Sequence, residues 1–308
     1  MDRPSDIADA AAALRAGGLV ILPTETVYGL AADAADPRAV AAVYEAKGRP
    51  AFNPLIAHVT DLAMARRIAR FDPRAETLAK AFWPGPLPLV LPVADQAAVC
   101  DLARAGLDSV AVRAPAHPVA QALLSAFGGP VVAPSANRSG RPSPTTFADA
   151  VGETGPSAVS ALDGGPCAIG LESTVVALLD RPRLLRPGAI TRAQIEALIG
   201  PLAQAQDDAK RSPGRLARHY APDTPVRLDA HAPAAGEAFL AFGPTPARDR
   251  TWNLSPSGDL AEAAANLFAH LRAADRSGAT AIAVAPIPEE GLGEAINDRL
   301  RRAAGFVG

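Results

Sequence analysis

The stretch PSANRSGRPSP, from Pro134 to Pro144, follows a short apolar run and places hydroxyl, amide and guanidinium side chains in one loop. Three further polar stretches also lie beside apolar runs that read as strands: PTETVYGL (23–30), KGRPAFNPL (47–55) and LESTVVAL (171–178). Loops at the ends of neighbouring strands can meet at one edge of a sheet. The pattern therefore predicts a site for a phosphorylated ligand at that edge.

Composition and charge limit the classes of protein. The chain has 308 residues, of which 49% are hydrophobic, and this favours two domains over one. Its formal charge of −2 gives no global electrostatic footprint for nucleic acid or an anionic membrane. The two cysteines, Cys100 and Cys167, are far apart and form no C-x-x-C pair, so neither a disulfide framework nor a zinc site is expected. Since no apolar signal segment or long apolar run occurs, we expect a soluble, cytoplasmic protein without membrane contact.

Helix and strand patterns alternate over residues 1–200. Ser5 is the predicted N-cap of a first helix, and Asp36 followed by Pro37 is typical of a second helix start. PLPLVLPV (86–93) has prolines at alternate positions, and because proline cannot donate a ladder hydrogen bond, we predict an edge or irregular strand there. The region as a whole predicts an α/β domain with a mixed sheet.

The periodicity fades over residues 201–225, which we interpret as an interdomain linker. Strand and helix patterns alternate again over residues 226–308, with amphipathic helices near 258–274 and 292–304. The sequence therefore predicts a second, small α/β domain at the C-terminus.

Each polar stretch has an ordinary explanation beside the functional one. Lys47 and Arg49 can face one cleft and bind phosphates, or they can complement the negative end of a helix. Arg113 ends an apolar strand, where a cation is costly unless an anion or a carboxylate meets it. Ser109 lies four residues earlier on the same face of that strand. A lone strand histidine such as His58 is more often structural than catalytic.

The loop 134–144 can form a phosphate cradle, or it can be only a loop rich in serine, glycine and proline. The chain has no Walker A motif and no G-x-G-x-x-G after a strand. It also lacks a G-x-S-x-G elbow, an H-E-x-x-H helix and a metal-ligand spacing of histidines. Together, these weak signals at one edge of the sheet are stronger evidence for a ligand site than any one of them alone.

As an ordered set, these motifs resemble the threonylcarbamoyl-AMP synthase family in its long form. The set also includes FWPGPLPLVLP (82–92), SVAVRAP (109–115), LLRPG (184–188) and the linker stretch SPGRLARHYAP (212–222), and it spans essentially the whole chain. One departure lies in the linker, where Arg215, Leu216 and Ala217 replace an aromatic or Met-containing stretch. The resemblance implies a YrdC-like twisted mixed sheet with flanking helices, followed by a small Rossmann-like α/β domain.

The resemblance also implies an activity. A member of this family is expected to make threonylcarbamoyl-AMP and pyrophosphate from L-threonine, bicarbonate or CO2, and ATP. Mg2+ is expected to enter with ATP, bound mainly through the phosphates, with no metal site built by the protein itself. The expected partners are downstream tRNA threonylcarbamoyl-transferase proteins, together with a weak contact to tRNA.

Carried over by position, the resemblance assigns roles to individual residues. Lys47 and Arg49 are the expected catalytic residues. The expected ATP ligands are Arg49, Asn53, Ser109, Ser135, Ser143, Arg186 and Tyr220. The expected L-threonine ligands are Thr26, His58, Arg113, Ala133 and Ser173.

Two functions of other classes remain open from the residues alone. One is an RNA-binding module of the same fold without synthase activity, against which the net charge of −2 and the lack of an aromatic-interleaved basic stretch count. The other is an assembly protein whose first domain only senses nucleotide.

Overall fold

The computed structural model describes residues 5–204 and 219–305. Residues 205–218, most of the predicted linker, lie outside the described residues, and so does the departure at Arg215, Leu216 and Ala217. An α/β region lies on each side of this segment, as the sequence predicts. The domain boundaries at residues 200 and 226 stay predictions.

The helices begin where short polar side chains cap them. The first begins after Asp6, whose carboxylate accepts a hydrogen bond from the Asp9 amide at 2.8 Å, so the predicted cap at Ser5 is wrong by one residue. The cap at Asp36 is confirmed, because its side chain accepts from the Arg38 amide. The helices are α1 (Ile7–Arg15), α2 (Pro37–Lys47), α3 (Leu62–Ile68), α4 (Pro73–Phe82), α5 (Asp101–Arg104), α6 (Pro118–Phe127), α7 (Phe147–Thr154), α8 (Arg192–Ile199), α9 (Leu260–Asp275) and α10 (Leu292–Ala303).

The strands of the first region form one mixed sheet. They are β1 (Val20–Leu22), β2 (Gly29–Asp33), β3 (Ile56–His58), β4 (Leu89–Pro92), β5 (Ser109–Arg113), β6 (Val131–Val132), β7 (Ser160–Ala161), β8 (Val175–Leu178), β9 (Pro182–Arg186) and β10 (Ala203–Gln204). Within the described residues their order is β10-β9-β8-β4-β5-β3-β6-β2-β1-β7. β3 is parallel to β5 and antiparallel to β6, which confirms the predicted mixed sheet.

β4 is a central strand between β8 and β5, so the prediction of an edge strand is wrong. Pro86 and Pro88 precede the strand, and their carbonyl groups accept hydrogen bonds from the amides of Thr174 and Val176 at 3.1 and 3.2 Å. Pro92 is the last residue of the strand. The prolines therefore serve as acceptors at the ends of the ladder, where a missing N–H costs little.

The two faces of this sheet are covered differently. One face packs against α2, α3, α4, α5, α7 and α8, with strand residues such as Ala57 and Val112 in the core. On the opposite face, α1 and α6 cover the half formed by β6, β2, β1 and β7. The other half of that face presents Ile56, Ala111 and Val175. This second half positions the candidate site.

The second region is a small parallel sheet with helices. Its strands are β11 (Val226–Arg227), β12 (Ala238–Ala241), β13 (Thr251–Asn253) and β14 (Ile282–Val284). Among the described residues they are paired in parallel in the order β11-β14-β12-β13, and α9 and α10 pack on one face. This architecture confirms the expected Rossmann-like α/β unit.

The two regions share an apolar interface. Val27 and Leu171 of the first region are buried in the same core as Phe268 of α9. Gly170 has a φ of +70°, and a Cβ there would lie 2.4 Å from the carbonyl oxygen of Ala265. Only glycine allows the two backbones to approach this closely. The interface thus holds α9 against Gly170 and Leu171.

Candidate active site

A cavity lies on the second face of the sheet, beside β3 and β5. About 50 Å³ of it is open to the centre of a water molecule, which is room for a few waters. The cavity brings together most of the residues that the family resemblance implies for the site. The predicted residues that line it are Thr26, Arg49, His58, Arg113, Ala133, Ser135, Ser173, Arg186 and Tyr220.

Arg113, the last residue of β5, is buried and paired. Its Nη2 lies 2.5 Å from Oε1 of Glu25, its Nη1 donates to Thr26 Oγ1 at 3.1 Å, and its Nε donates to the Gly85 carbonyl at 3.1 Å. The sequence predicts that an anion or a carboxylate meets this cation, and Glu25 of the same chain is that carboxylate. One N–H on each Nη nitrogen is left by these bonds, and it can donate to a second carboxylate.

The stretch PTETV forms a turn that fixes Thr26. The Thr24 hydroxyl donates to the Val27 carbonyl at 2.6 Å and accepts from the amides of Thr26 and Val27 at 3.2 Å. The two threonine hydroxyl oxygens lie 2.8 Å apart. Because a serine or threonine that bonds its own backbone stabilises a turn, Thr26 is held beside Arg113 before any ligand binds.

The ionisation of Glu25 and His58 follows from this arrangement. Burial raises the pKa of Glu25, whereas the charge and the hydrogen bond of Arg113 lower it. The pKa of Glu25 in the folded protein lies below its ordinary value of 4.5. Burial, and then the charge of Arg113, lower the pKa of His58 to about 3. His58 is therefore neutral at pH 7. We call Thr26, His58, Arg113 and the adjoining Glu25 the paired wall, and it carries no net charge.

Arg49 and Arg186 have different surroundings. Arg186 donates from Nε and Nη2 to the carbonyl and the hydroxyl of Ser173, both at 3.0 Å. Arg49 donates to the carbonyls of Asn53 and Pro54 at 3.3 Å. Burial lowers the pKa of Arg49 to about 10 and also lowers the pKa of Arg186, but both stay charged at pH 7.

Within the described part of the chain, neither of these guanidinium groups forms an ion pair with a carboxylate. We call Arg49 and Arg186 the unpaired wall. No carboxylate of the described residues pairs with it directly, so its positive charge can attract an anionic ligand.

Lys47, the last residue of α2, does not line the cavity. Its buried ammonium group donates to the carbonyl oxygens of Ser135 and Asn137 and so ties α2 to the loop 134–144. Burial, and then the charge of Arg49, lower the pKa of Lys47 well below its ordinary value. Its predicted place beside the phosphates stays a prediction.

Three other predicted ATP ligands do not line the cavity either. Asn53 is buried in the loop after α2, with its side-chain oxygen unpartnered among the described residues. Ser109 lies at the start of β5, about 13 Å along the strand from its last residue. Ser143 is fully buried, and its hydroxyl donates to Glu172. The assignment of all three to ATP stays a prediction.

Two acidic residues complete the surroundings of the site without a role predicted for them. Glu25 and Glu172 both lie in the quoted polar stretches, so a signal for them exists in the sequence. Glu172 lines the cavity, and its Oε2 accepts a hydrogen bond from Nε of Arg299 at 3.0 Å. Arg299 lies 127 residues further along the chain, and nothing in its local pattern indicates this contact.

Tyr220 and His219 close one side of the cavity. Tyr220 is 1% exposed and has a left-handed backbone, with a φ of +61°. Its ring packs edge-on against His219 at 4.0 Å between centroids and lies 5.5 Å from the Phe268 ring. The amide of the next residue, Ala221, donates to the Gly140 carbonyl at 2.7 Å. This segment therefore joins the loop 134–144 to α9.

The described residues contain no group of three or more His, Cys, Asp or Glu side chains that could hold a metal ion. Carboxylates are the side chains that Mg2+ prefers. Those beside the cavity, Glu25 and Glu172, each form an ion pair with an arginine.

The helices that are described include none long and apolar enough to cross a membrane.

Two family models together match nearly the whole chain. Residues 12–188 match the Sua5/YciO/YrdC family, described as "Telomere recombination". Residues 190–305 match the family described as "Threonylcarbamoyl-AMP synthase, C-terminal domain".

Individual relatives agree with these matches. The threonylcarbamoyl-AMP synthase of Bacillus subtilis (strain 168) is 40% identical over 97% of this chain and 93% of its own length. That of Pyrococcus abyssi (strain GE5 / Orsay) is 41% identical over 96% of this chain and 93% of its own. A crystal structure of a Pyrococcus abyssi protein complexed with L-threonine has a TM-score of 0.89 at 39% identity, covering 97% of this chain and 94% of that one.

These matches confirm the resemblance drawn from the ordered motifs and the fold that it implies. They also confirm the expected enzyme class, and they favour it over an RNA-binding module or a nucleotide-sensing assembly protein. The chain belongs to the threonylcarbamoyl-AMP synthase family.

Proposed function

We propose that the cavity is the active site at which this chain makes threonylcarbamoyl-AMP and pyrophosphate from L-threonine, bicarbonate or CO2, and ATP. The observation that carries the proposal is the division of charge in one cavity. Arg113 is paired with Glu25, whereas Arg49 and Arg186 donate to neutral oxygens among the residues that the structure describes. An amino acid, which is a zwitterion, and a polyanionic nucleotide match these two environments.

L-Threonine is assigned to the paired wall. The two remaining N–H groups of Arg113 suit its carboxylate, and the hydroxyls of Thr26 and Ser173 suit its other polar groups. A neutral His58 does not repel an amino group, and the small side chain of Ala133 leaves room beside it. The complex of the Pyrococcus abyssi protein with L-threonine supports L-threonine as a ligand of this chain.

ATP is assigned to the unpaired wall and its surroundings. The fork-shaped guanidinium groups of Arg49 and Arg186 suit phosphate oxygens, and Lys47 is assigned a place beside the phosphates. The remaining assigned ligands are Asn53, Ser109, Ser135, Ser143 and Tyr220. Tyr220 lies in the wall of the same cavity, where it is placed to close over the nucleotide.

The two ligands meet beside Ser173. Its hydroxyl and carbonyl hold Arg186 of the unpaired wall, while the neighbouring Thr174 amide donates to Pro86, next to the Gly85 that accepts from Arg113. In the proposed reaction, the amine of threonine takes up CO2 to form a carbamate. A carbamate oxygen then attacks the α-phosphate of ATP, and pyrophosphate leaves. Positioning and charge stabilisation by Lys47 and Arg49 supply the catalysis, with no covalent nucleophile.

Mg2+ is assigned to the phosphates of ATP. The engaged carboxylates beside the cavity support this over a site built by the protein. When bound, the ion would neutralise charge on the departing pyrophosphate.

The product is assigned to downstream tRNA threonylcarbamoyl-transferase proteins, which would use it to modify tRNA. A weak contact with tRNA and a cytoplasmic location remain parts of the proposal.

The test is pyrophosphate release that requires ATP, L-threonine and bicarbonate together. We expect Arg49→Ala and Lys47→Ala to lower its rate by orders of magnitude, because each removes a cation beside the phosphates. Lys80→Ala and Arg66→Ala, at exposed positions on other helices, serve as matched controls and should keep wild-type rates. Near wild-type turnover in both Arg49→Ala and Lys47→Ala would sink the proposal.

A further inference from the structure

Arg299, on α10 of the second region, reaches the wall of the cavity. It is 1% exposed, and its Nε donates to Oε2 of Glu172 at 3.0 Å while its Nη2 lies 3.5 Å from the Glu172 carbonyl oxygen. Its guanidinium carbon lies 5.3 Å from the centre of the Tyr220 ring, within the range of a cation–π contact. Oδ2 of Asp298 lies 2.7 Å from Nη1 on the other side of the Arg299 guanidinium group. One side chain of the second region thus contacts two residues that line the cavity.

Glu172 extends this contact into the first region. Its second oxygen, Oε1, accepts the hydrogen of the Ser143 hydroxyl, and Ser143 belongs to the loop 134–144. A continuous chain of buried polar groups therefore runs from α10 through Glu172 to that loop. Every member of the chain is less than one-tenth exposed, so each hydrogen bond is shielded from water.

The charge of Glu172 makes the contact more than structural. A carboxylate in the wall of a cavity that binds a polyanion repels it, unless a cation cancels the charge. Arg299 is the cation placed to do so, at hydrogen-bond distance. If Arg299 is lost, a buried carboxylate remains without its partner, which is costly both for folding and for an anionic ligand.

We propose that Arg299 is a positioning residue for the nucleotide site: it holds the Glu172 carboxylate and the Tyr220 ring in the cavity wall and cancels the charge of Glu172. The inference rests on the proposed function and deepens it, because it gives the second region a part in binding ATP. α10 completes a site whose other walls come from the first region and the segment at 219–220.

The second region also offers a matched control. Arg272, on α9, is 5% exposed and crosses the same interface to pair with a buried glutamate, with Nη1 2.9 Å from Oε1 of Glu153. It also donates to the Pro142 carbonyl. Neither Arg272 nor Glu153 lines the cavity. Comparing the two arginines separates an effect on the site from an effect on the interface.

The experiment compares Arg299→Met with Arg272→Met in the full chain. Both variants should melt at a lower temperature, because each loses a buried ion pair, although Glu153 keeps its contacts with Arg141 and Arg138. We expect Arg299→Met to raise KM for ATP about tenfold, which is about 1.4 kcal/mol, and to leave KM for L-threonine within about twofold. Arg272→Met should leave both KM values close to wild type. An equal change in KM for ATP in the two variants would overturn the proposal.

Two further variants keep the test decisive if Arg299→Met does not fold. The double variant Glu172→Gln with Arg299→Met removes the uncompensated charge, so KM for ATP should return part of the way to wild type. Arg299→Lys keeps the charge but loses the planar fork, and it should give an intermediate KM. A KM for ATP still raised about tenfold over wild type in the double variant or in Arg299→Lys would contradict a role through Glu172.

Binding of a non-hydrolysable ATP analogue, measured by calorimetry, separates this inference from the proposed function. If the wild type binds the analogue and Arg299→Met weakens binding about tenfold, the positioning role stands even when no pyrophosphate is released. If the wild type releases pyrophosphate but both arginine variants bind the analogue equally well, the proposed function stands and the positioning role fails.

Discussion

The two walls of the cavity use arginine in opposite ways. On the paired wall, the charge of Arg113 is cancelled by Glu25 at 2.5 Å, beside a His58 that burial keeps neutral. On the unpaired wall, Arg49 and Arg186 donate to carbonyl and hydroxyl oxygens and, within residues 5–204 and 219–305, to no carboxylate. This division of charge allows one cavity to hold a zwitterion beside a polyanion. The protein cancels its own charge where the amino acid is assigned and leaves it for the ligand where the nucleotide is assigned.

The largest expected effect comes from breaking the unpaired wall. Arg186→Gln keeps a polar side chain but removes the positive charge beside Ser173, where the α-phosphate is assigned. We expect the rate of pyrophosphate release to fall about 10³-fold, or about 4 kcal/mol of transition-state stabilisation. The measurement is kcat/KM for ATP, with Arg181→Gln, at an exposed position on the turn before β9, as control. A loss of less than about threefold would show that Arg186 does not meet the developing charge.

The next largest effect comes from breaking the paired wall. Glu25→Gln leaves the buried Arg113 without a counter-charge, and we expect a loss of about 3 kcal/mol in the free energy of unfolding at pH 7. The paired wall then resembles the unpaired one. Pyrophosphate should therefore compete with L-threonine in the variant but not in the wild type, which initial-rate kinetics can measure. Unchanged stability and no competition would contradict the pairing.

The pH dependence of that loss has a definite sign. The folded-state pKa of Glu25 lies below its ordinary value of 4.5, so its carboxylate stabilises the fold above pH 4.5. This contribution is lost as the pH falls through the folded-state pKa. The difference between wild type and Glu25→Gln in urea unfolding should therefore be full at pH 7 and shrink below pH 4.5.

A smaller effect tests the neutrality of His58. Its pKa is lowered to about 3, so the unfolded chain takes up a proton below about pH 6.5 that the folded chain does not. As the pH falls below about 6.5, this group should lower the free energy of unfolding of the wild type by up to about 1.4 kcal/mol per pH unit. His58→Gln should remove that part of the slope. His219 contributes in the same direction but is present in both proteins. Equal slopes between pH 6 and pH 5 would show that His58 is not held neutral.

The fold and the site were predictable from the sequence to different extents. Caps and apolar runs predict most elements, but the GLAAD run of β2 is short and rich in alanine and glycine, so its pattern does not indicate a strand. β4 shows the limit of a local rule, because its prolines lie at the ends of the ladder and not inside it.

For the site, the cost of burying a cation at the end of an apolar strand is enough to indicate from the sequence that Arg113 needs an anionic partner. It cannot say that Glu25, 88 residues away, provides it. The pairing of Glu172 with Arg299 depends in the same way on how the second region packs, which no local pattern encodes.

L-Threonine is assigned to the paired wall, and the nucleotide is assigned to the unpaired wall. The most direct measurement is calorimetric titration of Arg113→Gln and Arg186→Gln, each with L-threonine and with a non-hydrolysable ATP analogue. We predict that Arg113→Gln loses affinity for L-threonine and keeps affinity for the analogue, while Arg186→Gln does the reverse. Loss of the same ligand in both variants, or of neither, would contradict the account.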